Sequence, residues 1–387
     1  MESVEPYIIN IPESLLIDLK QRLKNTRWTD EPEKSGWSNG INPKYLREVV
    51  DYWLNYYDWR IHEAALNNFN HFRTTIDGIG IHFIHEKGKG PNPVPIILTH
   101  GWPDSFYRFY KIIPLLTDPA RFGGDPSNSF DVIIPSIPGF AFSDPVSLPS
   151  NKTAVLFKKL MTDVLGYKTF AAAGGDIGAA ITKSLATQFP QSVTGIHLTD
   201  VGFPTGNEDL MDVTVAEQEY FNQCHTWLFT EGGYIMEQST KPQTLGYALN
   251  DSPVGLAAWI IEKFWAWSDT KENIELSYTK DELITNIMIY WVTNSINTSI
   301  RTYLENRRVA YNPLGLKPIQ RVEVPTAVAV FPQDDFDIPY EWAERMVNVK
   351  RFTRMPHGGH FATLVVPKLY VKDLKEFFYK HEYQIHN

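Results

Sequence analysis

A second cysteine is missing. Cys224 is the only one in 387 residues, so no internal disulfide can form, and a reducing compartment, the cytoplasm, is the expected setting. Nothing around Cys224 suggests a nucleophile; it reads as a packed apolar side chain. No basic stripe runs through the chain. Lys and Arg number 36 against 45 Asp and Glu, a net charge of −9, which argues against nucleic acid as a partner. The acidic surplus is spread out and reads as serving solubility. No apolar run approaches the ~18 residues a membrane helix needs. The opening residues, MESVEPYIIN, have neither a basic n-region nor an apolar h-region, so no signal peptide is expected. The closing YQIHN matches no lipidation or retention signal. Internal repeats and low-complexity tracts are absent too.

What is present is an ordinary globular composition, 43% hydrophobic and 21% charged. The length suits one large α/β domain with an insertion, or two domains. Aromatics are abundant, with 11 Trp, 19 Tyr and 22 Phe. A large core absorbs most of them and leaves rings to line an apolar pocket.

Residues 12–25, PESLLIDLKQRLKN, start with a proline suited to a first helical turn. Leu15, Leu19 and Leu23 recur every four residues, which predicts a helix with one apolar face. Residues 44–69 read as helical as well. The first strand signal is TTIDGIGIHFIHEKG (74–88), with Asp77-Gly78 as a hairpin turn. VPIILTHG (94–101), FDVIIPSIPGF (130–140), FAAAGGDIG (170–178) and VTGIHLTDV (193–201) follow, separated in part by helical stretches at 152–166 and up to Phe189. Apolar runs without alternation, interleaved with helices, read as parallel strands buried on both faces. The alternation stops near Phe203, and 205–310 carries helical periodicity and many aromatics. Strand signals return at VPTAVAVFPQ (324–333) and VKRFTRMP (349–356), and PKLYVKDLKEFFYKH closes as a helix. The expected organisation is a helical N-terminal extension over 1–73, an α/β core over 74–204 and 311–387, and a helical cap inserted at 205–310.

The corner Gly174-Gly175-Asp176-Ile177-Gly178 joins a strand to a small-residue helix. It has the small-x-nucleophile-x-small form of the α/β-hydrolase elbow, with an aspartate where serine is common. Side chains two residues to either side of the strained centre would collide with neighbouring backbone, hence the glycines. A carboxylate is ionised at neutral pH and attacks without a base, but the resulting ester needs a base for its hydrolysis. The competing reading is a helix N-cap, among the commonest uses of aspartate before a helix. This stretch alone leaves both readings open.

The rest of the chain adds weight. His100-Gly101-Trp102-Pro103 ends the run at 94–99, where this fold draws a second oxyanion donor. The backbone N–H of Trp102 would serve beside that of Ile177, and His100 reads as a structural residue of the loop. PHGGHFA (356–362) follows the last strand, where the fold places its base. His360 fits that role; His357 reads as solvated or structural. For the carboxylate that orients the base, FPQDDFDIP (331–339) offers Asp334 and Asp335, with Asp337 behind them and Asp200 as a rival after 193–199.

With these motifs in hand, the chain resembles the epoxide hydrolases of microsomal type, including juvenile hormone epoxide hydrolases, nearly end to end. IPESLLIDLKQRLKNTRWTDE (11–31), YWLNYYDWRIHEAALNNFNHF (52–72) and HGWPDSFYRFYKIIPLLTDP (100–119) have counterparts there. So do GGDIG, ALNDSPVGLAAWIIEKFWAW (248–267), NIMIYWVTNSINTSIRTY (286–303) and GGHFA. The resemblance implies an α/β-hydrolase fold with a mostly parallel sheet. It implies Asp176 as nucleophile, His360 as base, Asp334 as the acid orienting it, and Tyr234 and Tyr303 as donors to the epoxide oxygen. The two tyrosines come from the resemblance alone, because packing is the usual role of a tyrosine. It further implies an apolar epoxide as substrate, a vicinal diol as product, and no metal or organic cofactor.

Ile177 departs from the Trp of many relatives, and Asp104 from their Gly. The membrane anchor of the microsomal enzymes has no counterpart, which implies a soluble member; relatives of this kind often pair as homodimers. Three rival readings remain: a haloalkane dehalogenase, a secondary-metabolism enzyme that opens an epoxide with an internal nucleophile, and a non-catalytic ligand-binding relative. Ile177 cannot supply the side-chain N–H that a dehalogenase needs for halide, and the retained Asp, His, acid and tyrosines argue against mere binding.

Overall fold

The computed structural model describes residues 3–30, 34–204, 211–270, 273–310, 320–334, 336–380 and 385–386. Among them, ten strands join in one sheet. They are β1 (Glu5–Pro6), β2 (His71–Ile76), β3 (Ile79–Glu86), β4 (Val94–Thr99), β5 (Phe130–Pro135), β6 (Phe170–Gly174), β7 (Val193–Leu198), β8 (Val322–Val330), β9 (Val347–Arg354) and β10 (Ile385–His386). Their order is β1-β2-β3-β5-β4-β6-β7-β8-β9-β10. The pairs β1–β2, β2–β3 and β3–β5 are antiparallel, and every later pair is parallel. This is the mostly parallel sheet of an α/β-hydrolase.

Local chemistry explains each piece. Asp77 and Gly78 both take positive φ, 51° and 79°, the geometry of a two-residue turn whose twist matches its strands. All six residues of β5 and all five of β6 are buried, as expected for parallel strands covered on both faces. The chain leaves β4 for β5 on one side and then reaches β6 on the other. The crevice beyond the C-terminal ends of β4 and β6 is therefore the topological switch point, where open α/β sheets bind ligands. A Cβ on Gly178 would stand 2.1 Å from the Thr99 carbonyl oxygen, so a glycine lets the helix after β6 start hard against the end of β4.

The N-terminal helix runs Glu13–Lys24, with Pro12 just outside it. It buries Leu16 together with Leu19 and Leu23, while Leu15 is half-buried; the apolar stripe is wider than the every-fourth-residue pattern. The stretch read as one helical region at 44–69 is two helices, Pro43–Asn55 and Trp59–Leu66, and the Asp58 side chain caps the second. Between β7 and β8 lie six helices of the described residues, Val215–Thr230, Gly233–Thr240, Pro242–Asp251, Pro253–Ala266, Lys280–Thr293 and Ile296–Ala310. Thr214 and Thr279 open two of them with capping boxes to Glu217 and Glu282. The boundaries expected at 205 and 311 fall outside the described residues. No helix among the described residues is long and apolar enough to cross a membrane.

Candidate active site

Asp176 sits at φ 56° and ψ −134°, a conformation that costs a non-glycine residue energy and persists only where the surroundings enforce it. It directly precedes the Ile177–Gln188 helix, yet its side chain makes no capping hydrogen bond. The carboxylate turns instead toward the β4 loop, where Oδ1 accepts from the Trp102 backbone N–H at 2.8 Å. The Ile177 backbone N–H also lies near enough to the same carboxylate to favour its charged form. A Cβ on Gly101 would lie 2.3 Å from that Oδ1, so only glycine allows the approach. Burial raises the Asp176 carboxyl to about 6, against the opposing pull of His360 and the two N–H donors.

His360 completes the other side. Its Nε2 lies 3.9 Å from Asp176 Oδ2, and its Nδ1 lies 2.9 Å from Asp334 Oδ1. The two oxygens of Asp176 are thus distinguished: Oδ1 is held by the Trp102 backbone N–H, and Oδ2 faces the imidazole. Burial alone would lower the histidine, but the Asp334 carboxylate outweighs it and holds the ring near 9. The loop is anchored by the His360 N–H on the Trp267 carbonyl at 2.9 Å, and by a bridge from Gln333 to Gly359.

Neither of the two described rival carboxylates is shown bonded to His360, although Asp200 lies near enough to feel the charges of His360 and Asp334. Asp200 accepts from the Gly202 N–H at 2.7 Å, and Asp337 pairs with Arg354. Asp335 lies outside the described residues. His357 is exposed. His100 is buried; its Nδ1 donates to the Gly101 carbonyl at 3.0 Å and its Nε2 accepts from the Ile137 N–H at 3.2 Å, so the ring links two loops.

Tyr234 comes from the Gly233–Thr240 helix and Tyr303 from the Ile296–Ala310 helix. Their rings meet edge-on, 6.1 Å apart. Both contact Trp102, stacked on Tyr234 at 5.4 Å and perpendicular to Tyr303 at 6.0 Å. The Tyr303 hydroxyl is buried without a hydrogen-bond partner among the described residues, as is His360 Nε2. Trp267 lies 5.2 Å from Tyr234 and 5.1 Å from His360. Asp176, His360, Asp334, Tyr234 and Tyr303 are therefore brought together in one aromatic-rich cluster with Trp102 and Trp267.

Two charged residues that sequence reasoning did not single out join them. Arg108 donates to Asp104 Oδ2 at 2.5 Å and to the His360 carbonyl at 2.6 Å. Asp104 Oδ1 in turn accepts from the Gly101 N–H at 2.8 Å. The extra charge expected on the oxyanion loop thus has a partner four residues on, a spacing visible in DSFYR. Burial would raise the Asp104 carboxyl, but Arg108 and His100 hold it near 2. Lys263, the second, places its ammonium over the Tyr234 ring; no sequence pattern marks it.

Comparison with known proteins follows this geometry. Residues 4–109 match the family model described as epoxide hydrolase N terminus, and residues 94–228 match alpha/beta hydrolase fold. A putative epoxide hydrolase of Stigmatella aurantiaca is 42% identical over 382 residues, covering 97% of this chain and 84% of that protein. Epoxide hydrolase 1 of Sus scrofa is 38% identical over 404 residues, covering 97% and 88%. The crystal structure of juvenile hormone epoxide hydrolase from the silkworm Bombyx mori superposes with a TM-score of 0.87 at 33% identity, covering 97% of this chain and 93% of that one.

Proposed function

The chain belongs to the epoxide hydrolase family and is an epoxide hydrolase of the α/β-hydrolase fold; from that premise we propose that it converts an apolar epoxide to a vicinal diol through an ester on Asp176. The observation that carries this reading is the unequal setting of the two carboxylate oxygens, Oδ1 on the Trp102 N–H at 2.8 Å and Oδ2 3.9 Å from His360 Nε2.

In the first step Oδ2 attacks an epoxide carbon. That carbon–oxygen bond breaks, and the leaving oxygen takes a proton along the hydrogen bonds from Tyr234 and Tyr303. In the second step His360 removes a proton from water, and the hydroxide adds to the ester carbonyl. The carbonyl oxygen is Oδ1, which the Trp102 N–H already holds at 2.8 Å, and with the Ile177 N–H also near the carboxyl the charge of the tetrahedral intermediate develops where donors stand ready. Collapse expels the alkoxide of the diol, which takes the proton from the imidazolium, and the proton left on the Asp176 carboxyl passes to the tyrosinate, which restores both the carboxylate and the phenol.

The electrostatics order the two steps. The Asp176 carboxylate is one of the charges that keep a proton on His360. Esterification removes that charge, lowers the basicity of the imidazole, and frees it to act as the general base. Asp334 steadies the imidazolium that follows. A cytoplasmic setting is the reading supported by the lone buried Cys224, and pairing into homodimers the one supported by the resemblance.

The test is intact-mass spectrometry of His360→Gln after incubation with an aryl epoxide, a long-chain epoxide and a haloalkane. The expected result is a mass gain equal to the whole epoxide, mapped to Asp176 and absent from Asp176→Ala/His360→Gln. A gain equal to the haloalkane minus HX would move the reading to a dehalogenase. No adduct from either epoxide would overturn the covalent mechanism.

A further inference from the structure

We propose that Lys263 is a positioning residue that acts through Tyr234: its ammonium, held over the face of the phenol, strengthens the hydrogen bond that Tyr234 gives to the leaving epoxide oxygen. The inference rests on the reading of Tyr234 as an oxygen donor.

Lys263 lies on the Pro253–Ala266 helix, and its side chain is 8% exposed. Lysine is almost never buried this far unless paired, because an ammonium is expensive to desolvate. Its carboxylate partner is Glu262, the residue next to it, at 2.7 Å. That pair ties no distant elements together, so it does not explain why a cation is here instead of a methionine. The half-buried Glu231 also feels the Lys263 charge. What the ammonium does reach is aromatic: Nζ stands 5.0 Å from the centroid of Tyr234 and 5.7 Å from that of Trp267, both inside the ~6 Å range of a cation–π contact. Trp102 stacks on the same phenol.

The consequence follows from where charge moves. As Tyr234 gives its proton toward the opening epoxide, negative charge grows on the phenol and spreads into its ring. The attraction to a cation over the face grows with it. An interaction stronger in the transition state than in the ground state accelerates the step. The effect belongs to ring opening alone, because hydrolysis of the ester depends on His360 and the backbone donors.

The experiment separates the half-reactions in Lys263→Met, which keeps length and removes charge, and in Lys263→Arg, which keeps the cation. Ester formation and ester decay are followed in single turnovers with an aryl epoxide. Lys263→Met should slow alkylation about 3- to 30-fold and leave ester decay within about twofold, and Lys263→Arg should retain most of the alkylation rate. On a Tyr234→Phe background, Lys263→Met should add little. Wild-type alkylation in Lys263→Met, equal slowing of both half-reactions, or an undiminished effect without the Tyr234 hydroxyl would each overturn the proposal. Lys263→Gln supplies a second neutral side chain if the methionine variant does not fold. A wild-type protein that alkylates with no epoxide would instead remove the reading of Asp176 and Tyr234 on which the inference stands.

Discussion

Residue by residue, the site is a set of charges whose balance changes during turnover, and that sets its pH dependence. Alkylation needs an ionised Asp176, whose carboxyl burial raises to about 6. The single-turnover alkylation rate should therefore fall as pH drops through that value. Ester hydrolysis needs a neutral His360, and Asp334 is the main influence raising its basicity. Asp334→Asn removes that negative charge, so the rising limb of ester decay against pH should move to lower pH. Its plateau should fall by about 10³-fold, because the imidazolium of the transition state loses its partner. An unmoved limb and plateau would place the acid elsewhere. The residues alone point to the 331–339 loop for this carboxylate without choosing within it, and the structure sets Asp334 Oδ1 2.9 Å from His360 Nδ1. Adjacent aspartates carry the same chemistry, so residue type cannot separate them. Lys263 lay further from view, because its setting is made by rings 29 residues upstream and four downstream rather than by any local pattern.

Among the elements, the loops after β4 and β9 that carry the proposed site are fastened to each other by one buried ion pair. Asp104 grips the Gly101 N–H, and Arg108 grips the His360 carbonyl. Both side chains are almost wholly buried, so removing one partner strands a charge. Arg108→Gln should cost about 3–5 kcal/mol of stability, and the neutral double variant Asp104→Asn/Arg108→Gln should recover part of that loss. Urea denaturation of the four proteins checks this; strictly additive losses would mean that the two residues are not coupled. The buried strands announced themselves, since β3 through β8 coincide with largely apolar runs, whereas the signal at 74 catches only the second half of β2 (HFRTTI), and β9 (VNVKRFTR) alternates with charged residues. The two-residue strands β1 and β10 are too short for any period to show. The break between the Pro43–Asn55 and Trp59–Leu66 helices went unread because Trp, Tyr and Leu continue across it.

For the molecule as a whole, the question is what makes the N-terminal segment part of the enzyme instead of an appendage. Its contacts run both ways. β1 pairs with β2 at the edge of the sheet. The Tyr57 hydroxyl bonds to Thr285 at 3.0 Å and the Tyr52 hydroxyl to Asp281 at 3.0 Å, both around the Lys280–Thr293 helix that leads toward the helix of Tyr303. Inside the segment, the buried Glu63 accepts from the Ile11 N–H at 2.7 Å and from the Trp59 indole at 3.0 Å. It also takes Arg60 at 2.6 Å. One carboxylate thus seals the extended entry strand to the helix behind it. If the segment folds as one unit with sheet and helical insertion, Glu63→Ala should lower stability by about 2 kcal/mol, and calorimetry should still show a single transition that coincides with loss of activity. A separate low-temperature transition, with activity surviving it, would instead mean that the segment melts alone and that Tyr303 is held by the insertion itself. The links through Tyr52 and Tyr57 favour the first outcome, because loosening Glu63 frees the Trp59–Leu66 helix and with it Tyr57, just ahead of that helix, and Tyr52, on the Pro43–Asn55 helix, which both bond to the Lys280–Thr293 helix.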